Sequence, residues 1–113
     1  MKKQLDIVGL PQLDEVDLCD AGQILEAHSA ANGIDCVNWA NKYPAKPDVK
    51  FFIAHTSRNL FLKFTAEEHY LRAEVDKNLG PVANDSCAEF FVKSPECKEY
   101  FNFEFNCIGR INA

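Results

Sequence analysis

Apolar and polar side chains alternate most regularly in Asn84-Asp85-Ser86-Cys87-Ala88-Glu89-Phe90-Phe91-Val92 and in Tyr100-Phe101-Asn102-Phe103-Glu104-Phe105-Asn106-Cys107. Successive residues of a strand point to opposite sides of a sheet, so this period of two predicts one strand in each run. The turn-forming Ser94-Pro95-Glu96-Cys97 between them makes the two strands antiparallel neighbours. Pairing Val92 with Phe101, Phe90 with Phe103 and Ala88 with Phe105 gathers the apolar partners on one face and sets Glu89 opposite Glu104. A shift by two residues would instead set Glu89 beside Asn102 or Asn106. Every even shift leaves Glu89, Asn102, Glu104 and Asn106 on one polar face.

The same logic predicts a hairpin of residues 50–56 and 59–66 around Thr56-Ser57-Arg58-Asn59, with Phe51, Ile53, Leu60, Leu62 and Phe64 on one side and His55 at its edge. Residues 70–76 alternate as well, with Leu71, Ala73 and Val75 on one side and Tyr70, Arg72, Glu74 and Asp76 on the other, so a further strand is expected there. Tyr43-Pro44-Ala45-Lys46-Pro47 and Asn78-Leu79-Gly80-Pro81 are turn chemistry. The first third differs: an acidic stretch from Asp14 to Asp20 leads into Gln23-Ile24-Leu25-Glu26-Ala27-His28-Ser29-Ala30-Ala31, with Gly33 as a stop, which predicts one short helix. Asp17 to His28 fails as an EF-hand loop, because Cys19, Ala21 and His28 stand where oxygen ligands are needed. Short strands without helices between them predict a mainly β chain, an antiparallel β-sandwich with one short N-terminal helix. The expected organisation is a single domain over 1–113, with a helical lead-in over 1–33 and a β region over 37–113.

The 113 residues, 47% hydrophobic and 26% charged, suit a globular domain. A net charge of −5 without a Lys/Arg cluster argues against nucleic acid and anionic membrane surfaces as partners. No apolar run approaches the roughly 20 residues that span a bilayer, and no export signal precedes Pro11. Five cysteines, Cys19, Cys36, Cys87, Cys97 and Cys107, make an odd set without a C-x-x-C pair, which fits neither a disulfide framework nor a zinc site. They are expected as buried free thiols, which favours a reducing, cytoplasmic compartment only slightly over the periplasm, where a protein without disulfides would look the same, so localisation stays open.

Like charges directly opposite on a sheet are destabilising, so Glu89 and Glu104 call for a cation, a proton or a hydrogen-bonding ligand. With Asn102, Asn106 and, from the neighbouring segment, Arg72, they form a surface of carboxylates, amides and a guanidinium that suits vicinal sugar hydroxyls. Tyr100, Phe91, Phe52 and Phe61 also project from polar sides, more aromatic surface than solvent exposure alone favours. The competing reading is the solvated face of an amphipathic sheet, a ligand-free structural or interaction fragment. A glycoside hydrolase using Glu89 and Glu104 as its carboxylate pair is a further alternative, disfavoured because two neighbouring strands give a surface rather than a cleft. His55 reads as a satisfied strand-end residue, and two carboxylates are too few to predict calcium. No cofactor is expected, although structural calcium is compatible with the pair.

These residues carry a family resemblance. The two alternating runs, continuing to Ile108-Gly109, resemble the core of family 9 carbohydrate-binding modules, in a branch typical of gut Bacteroidales. Val37-Asn38-Trp39-Ala40, Tyr43-Pro44-Ala45-Lys46-Pro47 and Phe52-Ile53-Ala54-His55 are similar to that branch too, so the resemblance runs from about Leu25 onward. It implies a two-sheet DOMON-like sandwich that binds mono- or oligosaccharides without catalysis, in a setting of polysaccharide breakdown. It also implies that the glutamate of the Asp-Ser-x-x-Glu motif, here Glu89, contacts the sugar. The sequence departs from the family where characterised modules carry a platform tryptophan, since Val82-Ala83-Asn84 supplies no ring. Glu104 stands where those modules carry an arginine, leaving Arg72 as the local substitute. Trp39 reads as core packing. The branch runs well beyond the Gly109 region, so the chain is expected to match its N-terminal half, with sheet edges that favour self-association. Haem binding, known in some DOMON sandwiches, is disfavoured because Met1 is the sole methionine. The resulting sugar-binding candidates are Glu89, Arg72, Asn102, Glu104, Asn106 and Tyr100.

Overall fold

The computed structural model describes residues 4–34, 41, 48–68 and 72–113. Within them lie the strands β1 (Val8–Gly9), β2 (Asn32–Ile34), β3 (Asp48–His55), β4 (Leu60–Glu67), β5 (Cys87–Val92), β6 (Phe101–Asn106) and β7 (Ile111–Asn112), and the helix α1 (Leu18–His28). The architecture is mainly β, two sheets with one helix. The chain divides into two compact units, Met1–Glu68 and His69–Ala113, each with its own sheet. Cys36, the segment around Trp39, the Tyr43-Pro44-Ala45-Lys46-Pro47 turn, Tyr70 and Leu71 lie outside the described residues.

In the first unit β3 is the central strand. Its whole length pairs antiparallel with β4, with Phe51 opposite Phe64, Ile53 opposite Leu62 and His55 opposite Leu60, the face expected from the alternation. The hairpin closes through Thr56, whose backbone N–H donates to the Asn59 carbonyl (2.9 Å) while its Oγ1 accepts from the N–H groups of Arg58 (3.2 Å) and Asn59 (3.0 Å). A hydroxyl acceptor of this kind supplies the turn with hydrogen bonds its own backbone lacks. The other edge of β3 carries β2 near its start and β1 at its end.

Both of those short strands fall in the stretch expected to be a helical lead-in, which therefore needs correction. The helix ends at His28, before Ala30-Ala31, because Ser29 turns extended and caps the Leu25 carbonyl with both its N–H (3.0 Å) and its Oγ (2.6 Å). Gly33, expected as a helix stop, instead lies in β2 opposite Lys50. The β1–β3 pair is parallel, an exception to the antiparallel expectation. Gly9 sits there against His55, where a Cβ would come within 3.4 Å of the imidazole.

Residues Leu10, Leu13, Ala21, Leu25 and Ala54 form a buried cluster, with Ile24, Phe52 and Phe61 packed against it. Leu13 and Ala54 are almost wholly withdrawn from solvent. Phe52 and Phe61, which alternation places on a polar side of the hairpin, are thus covered by α1 and the 3-10 turn Pro11–Glu15 of this same chain. Lys63, on that side too, snorkels over Gly22 to pair with Glu26 at 2.7 Å.

In the second unit β6 is central, flanked by β5 and β7. Val92 pairs with Phe101, Phe90 with Phe103 and Ala88 with Phe105, the register the apolar pattern predicts. The expected strand over 70–76 is not formed in its described part: residues 72–76 belong to no ladder. Side chains replace the ladder. Asp85 accepts the N–H groups of Glu74 (3.1 Å) and Val75 (2.9 Å), Ser86 exchanges bonds with the Arg72 backbone, and Asn106 Nδ2 donates to the Val75 carbonyl (2.8 Å).

The cysteine expectation fails for the four described thiols, Cys19, Cys87, Cys97 and Cys107, which are exposed. Cys87 alternates onto the polar face of β5, and Cys97 lies in the turn between β5 and β6. No described helix is long and apolar enough to cross a membrane.

Candidate functional site

One face of the β5–β6–β7 sheet carries Cys87, Glu89 and Phe91 from β5, Asn102, Glu104 and Asn106 from β6, and Asn112 from β7. Glu89 and Glu104 are directly opposite, with Phe91 opposite Asn102 and Cys87 opposite Asn106. The odd-numbered residues of β5 and the even-numbered residues of β6 share this side because Phe90, Phe103 and Phe105 claim the other.

The electrostatics of the face are dominated by the carboxylate pair. Partial desolvation, hydrogen bonding to Glu104 and the negative charge of Glu104, in that order, raise the Glu89 carboxyl above its usual range. Asn112 Nδ2 donates to Glu104 Oε1 at 3.1 Å, a neutral contact that leaves the charge uncompensated. Among the described residues no lysine or arginine forms an ion pair with Glu89 or Glu104. Desolvation and the charges of Glu89, Glu104 and Asp85 hold the Cys87 thiol above its ordinary value, hence neutral.

Donor atoms of Cys87, Glu89 and Glu104 lie within 4.8 Å of one another, close enough to face a single cation. Two carboxylates and a neutral thiol are fewer than the six to eight oxygens that calcium takes.

An aromatic pair borders the carboxylates. The Phe91 and Tyr100 rings are 5.7 Å apart with planes tilted by 56°, the offset arrangement that ring quadrupoles favour. Both remain largely solvent-exposed, Phe91 at 56% and Tyr100 at 63%, so their faces are accessible. Phe91 was absent from the sequence-derived candidates, although its parity with Glu89 already places it on this face.

The remaining candidates separate. Asn102 shares the face, and its Oδ1 is buried without a hydrogen-bond partner among the described residues. Asn106 is buried and fully engaged: Nδ2 donates to Val75 and, at 3.1 Å, to Asp85 Oδ2, and Oδ1 accepts the Arg110 N–H at 2.8 Å. Arg72 is ion-paired with Glu74 at 3.0 Å and lies 3.6 Å from Asp85, not with the glutamate pair. The Asp-Ser of the Asp-Ser-x-x-Glu motif therefore serves the architecture, because Asp85 and Ser86 pin residues 72–75 beside the start of β5, the strand that carries Glu89. Burial alone would raise the Asp85 carboxyl, but the Val75 and Glu74 N–H groups, the Asn106 amide and the Arg72 charge together hold it below its usual range.

His55 meets the expectation of a strand-end residue, with Nδ1 3.2 Å from the Thr56 carbonyl. Asp17, the N-cap of α1, and Cys19 and Asp20 in its first turn are exposed.

The family model described as carbohydrate-binding family 9 matches residues 21–113. Among solved structures, the chain is similar to a putative carbohydrate-binding protein from Bacteroides uniformis ATCC 8492, with 34% identity and a TM-score of 0.86 over 95% of this chain. The chain spans about half the length of that protein, 49% of it. No curated protein matches it.

Proposed function

The chain belongs to carbohydrate-binding family 9, and from that premise we propose that it binds a mono- or oligosaccharide, without catalysis, on the polar face of the β5–β6–β7 sheet. The observation that carries this reading is the placement of the Glu89–Glu104 pair beside the exposed Phe91–Tyr100 rings on one face. A pyranose has an apolar face that stacks on an aromatic ring and an equatorial belt of hydroxyls that donate to carboxylates. The rings of Phe91 and Tyr100 supply the first element in place of a tryptophan before Asp85, and Glu89 and Glu104 supply acceptors for the second. Binding rather than hydrolysis is supported by the exposure of Glu89, since a general acid needs a desolvated cleft to separate the two carboxyl pKa values. Attachment of such a module to a polysaccharide is the setting in which it would serve carbohydrate breakdown.

Isothermal titration with glucose, xylose, cellobiose and xylobiose tests this reading on protein whose fold has been checked by circular dichroism. Saturable heat that disappears in Glu89→Ala is the expected result. A folded sample that gives no heat with any of them, or with an amino sugar, would sink it. The second reading, a ligand-free interaction module, then gains, because Phe101 at the start of β6 is 67% exposed and would suit a protein partner or self-association.

A further inference from the structure

Resting on the proposed sugar site, we propose that its preferred ligand is a cationic amino sugar, a pyranose bearing a protonated amine, rather than a neutral one. Among the described residues, the charged groups of this face are both carboxylates. Glu89 and Glu104 face each other without a described counter-charge. The positively charged side chain that the sequence offered to this face, Arg72, is held by Glu74 and Asp85. Asn106, the amide that could have donated to a ligand, donates to Val75 and Asp85 instead.

The hydroxyls of a neutral sugar can donate to the two facing carboxylates but bring no charge to offset their mutual repulsion. An ammonium group relieves it directly, because it brings three N–H donors and a full positive charge to two anionic acceptors. It also matches this donor set better than a metal ion does, as it needs about three acceptors rather than a complete oxygen shell.

The aromatic pair fits the same ligand. Glu89 and Phe91 are two residues apart on one strand, so their side chains leave the sheet about 7 Å from each other. One pyranose can therefore rest on the Phe91–Tyr100 rings while its amine reaches the carboxylates. An ammonium beside those rings gains a cation–π attraction that a hydroxyl does not. The neutral Cys87 thiol borders the pair without adding charge.

The test is titration of the intact chain at neutral pH with glucosamine, glucose and N-acetylglucosamine, which share a ring and differ in the charge at one carbon. Glucosamine should bind about tenfold tighter than either neutral sugar, the worth of one charge-assisted contact. Glu104→Gln should erase that preference, whereas Asp20→Asn, which removes an equal charge from the first unit, should leave it intact. Glucose bound as tightly as glucosamine would overturn this inference while leaving the sugar site standing. Equal loss of preference in both variants would overturn it too, by assigning the effect to overall charge. Absence of heat from all three sugars would overturn it together with the sugar reading.

Discussion

The two units of this chain reach stability by different means. The first buries aliphatic and aromatic side chains: α1 and the 3-10 turn cover Phe52, Ala54 and Phe61 with Leu13 and Leu25. The second has a smaller apolar interior, with Val82 wholly buried, and ties its segment 72–76 to the sheet through polar side chains, above all Asp85 and Asn106. Apolar packing is insensitive to pH, whereas hydrogen bonds from a buried carboxylate depend on its ionisation and hold a backbone in one position. The unit that carries the candidate ligand face is the one fastened by hydrogen bonds. Positioning, rather than maximal burial, is what that face requires.

The contrast is broken most forcefully by Leu13→Ala. Leu13 is 1% exposed, and its truncation should leave a cavity that destabilises the first unit by about 3 kcal/mol, read as a lowered midpoint in urea unfolding. Asp85→Asn attacks the other mode. The Glu74 and Val75 amides should lose hydrogen-exchange protection, and the acid limb of stability should flatten. The Asp85 carboxyl is held below its ordinary value, so its contribution is present above that value and is lost as pH falls through the folded one. Wild-type protein should therefore lose protection at those amides on acidification, while the Asn variant starts without it.

Thr56→Val sharpens the comparison within the first unit, where polar fastening is concentrated in the hairpin turn. Loss of the hydroxyl acceptor for Arg58 and Asn59 should destabilise by about 1 kcal/mol, measured by thermal unfolding. The smallest effect is expected for Glu104→Gln. Removing one of two facing like charges should stabilise the protein by roughly a few tenths of a kcal/mol at neutral pH. The Glu89 carboxyl is raised, so its stabilising contribution is complete below the ordinary glutamate value and is lost as pH rises through the folded one. Stability of the wild type should accordingly decline from mildly acidic to neutral pH, and Glu104→Gln should remove most of that slope.

Legibility differed between the parts for identifiable reasons. The β5–β6 register and the opposition of Glu89 to Glu104 follow from alternation alone, because any odd shift would drive Phe90, Phe103 and Phe105 to the wrong side. The β3–β4 register is equally local, set by four turn residues. β1 and β2 were hidden because strands of two and three residues leave no period to detect. Residues 72–76 alternate like a strand, yet their partners are Asp85, Ser86 and Asn106 rather than a neighbouring ladder.

By itself, then, the sequence determined the mainly β class, the pairing of its two clearest hairpins and the face on which the glutamates meet. Each is an outcome of side-chain alternation over a few consecutive residues. Tertiary structure alone decided that α1 covers Phe52 and Phe61, that Asn106 and Arg72 are held internally, and that Phe91 and Tyr100 stand open beside the carboxylates. Those outcomes depend on contacts between residues far apart in the chain, such as Asn106 with Val75, and no local period encodes the partner of a buried amide.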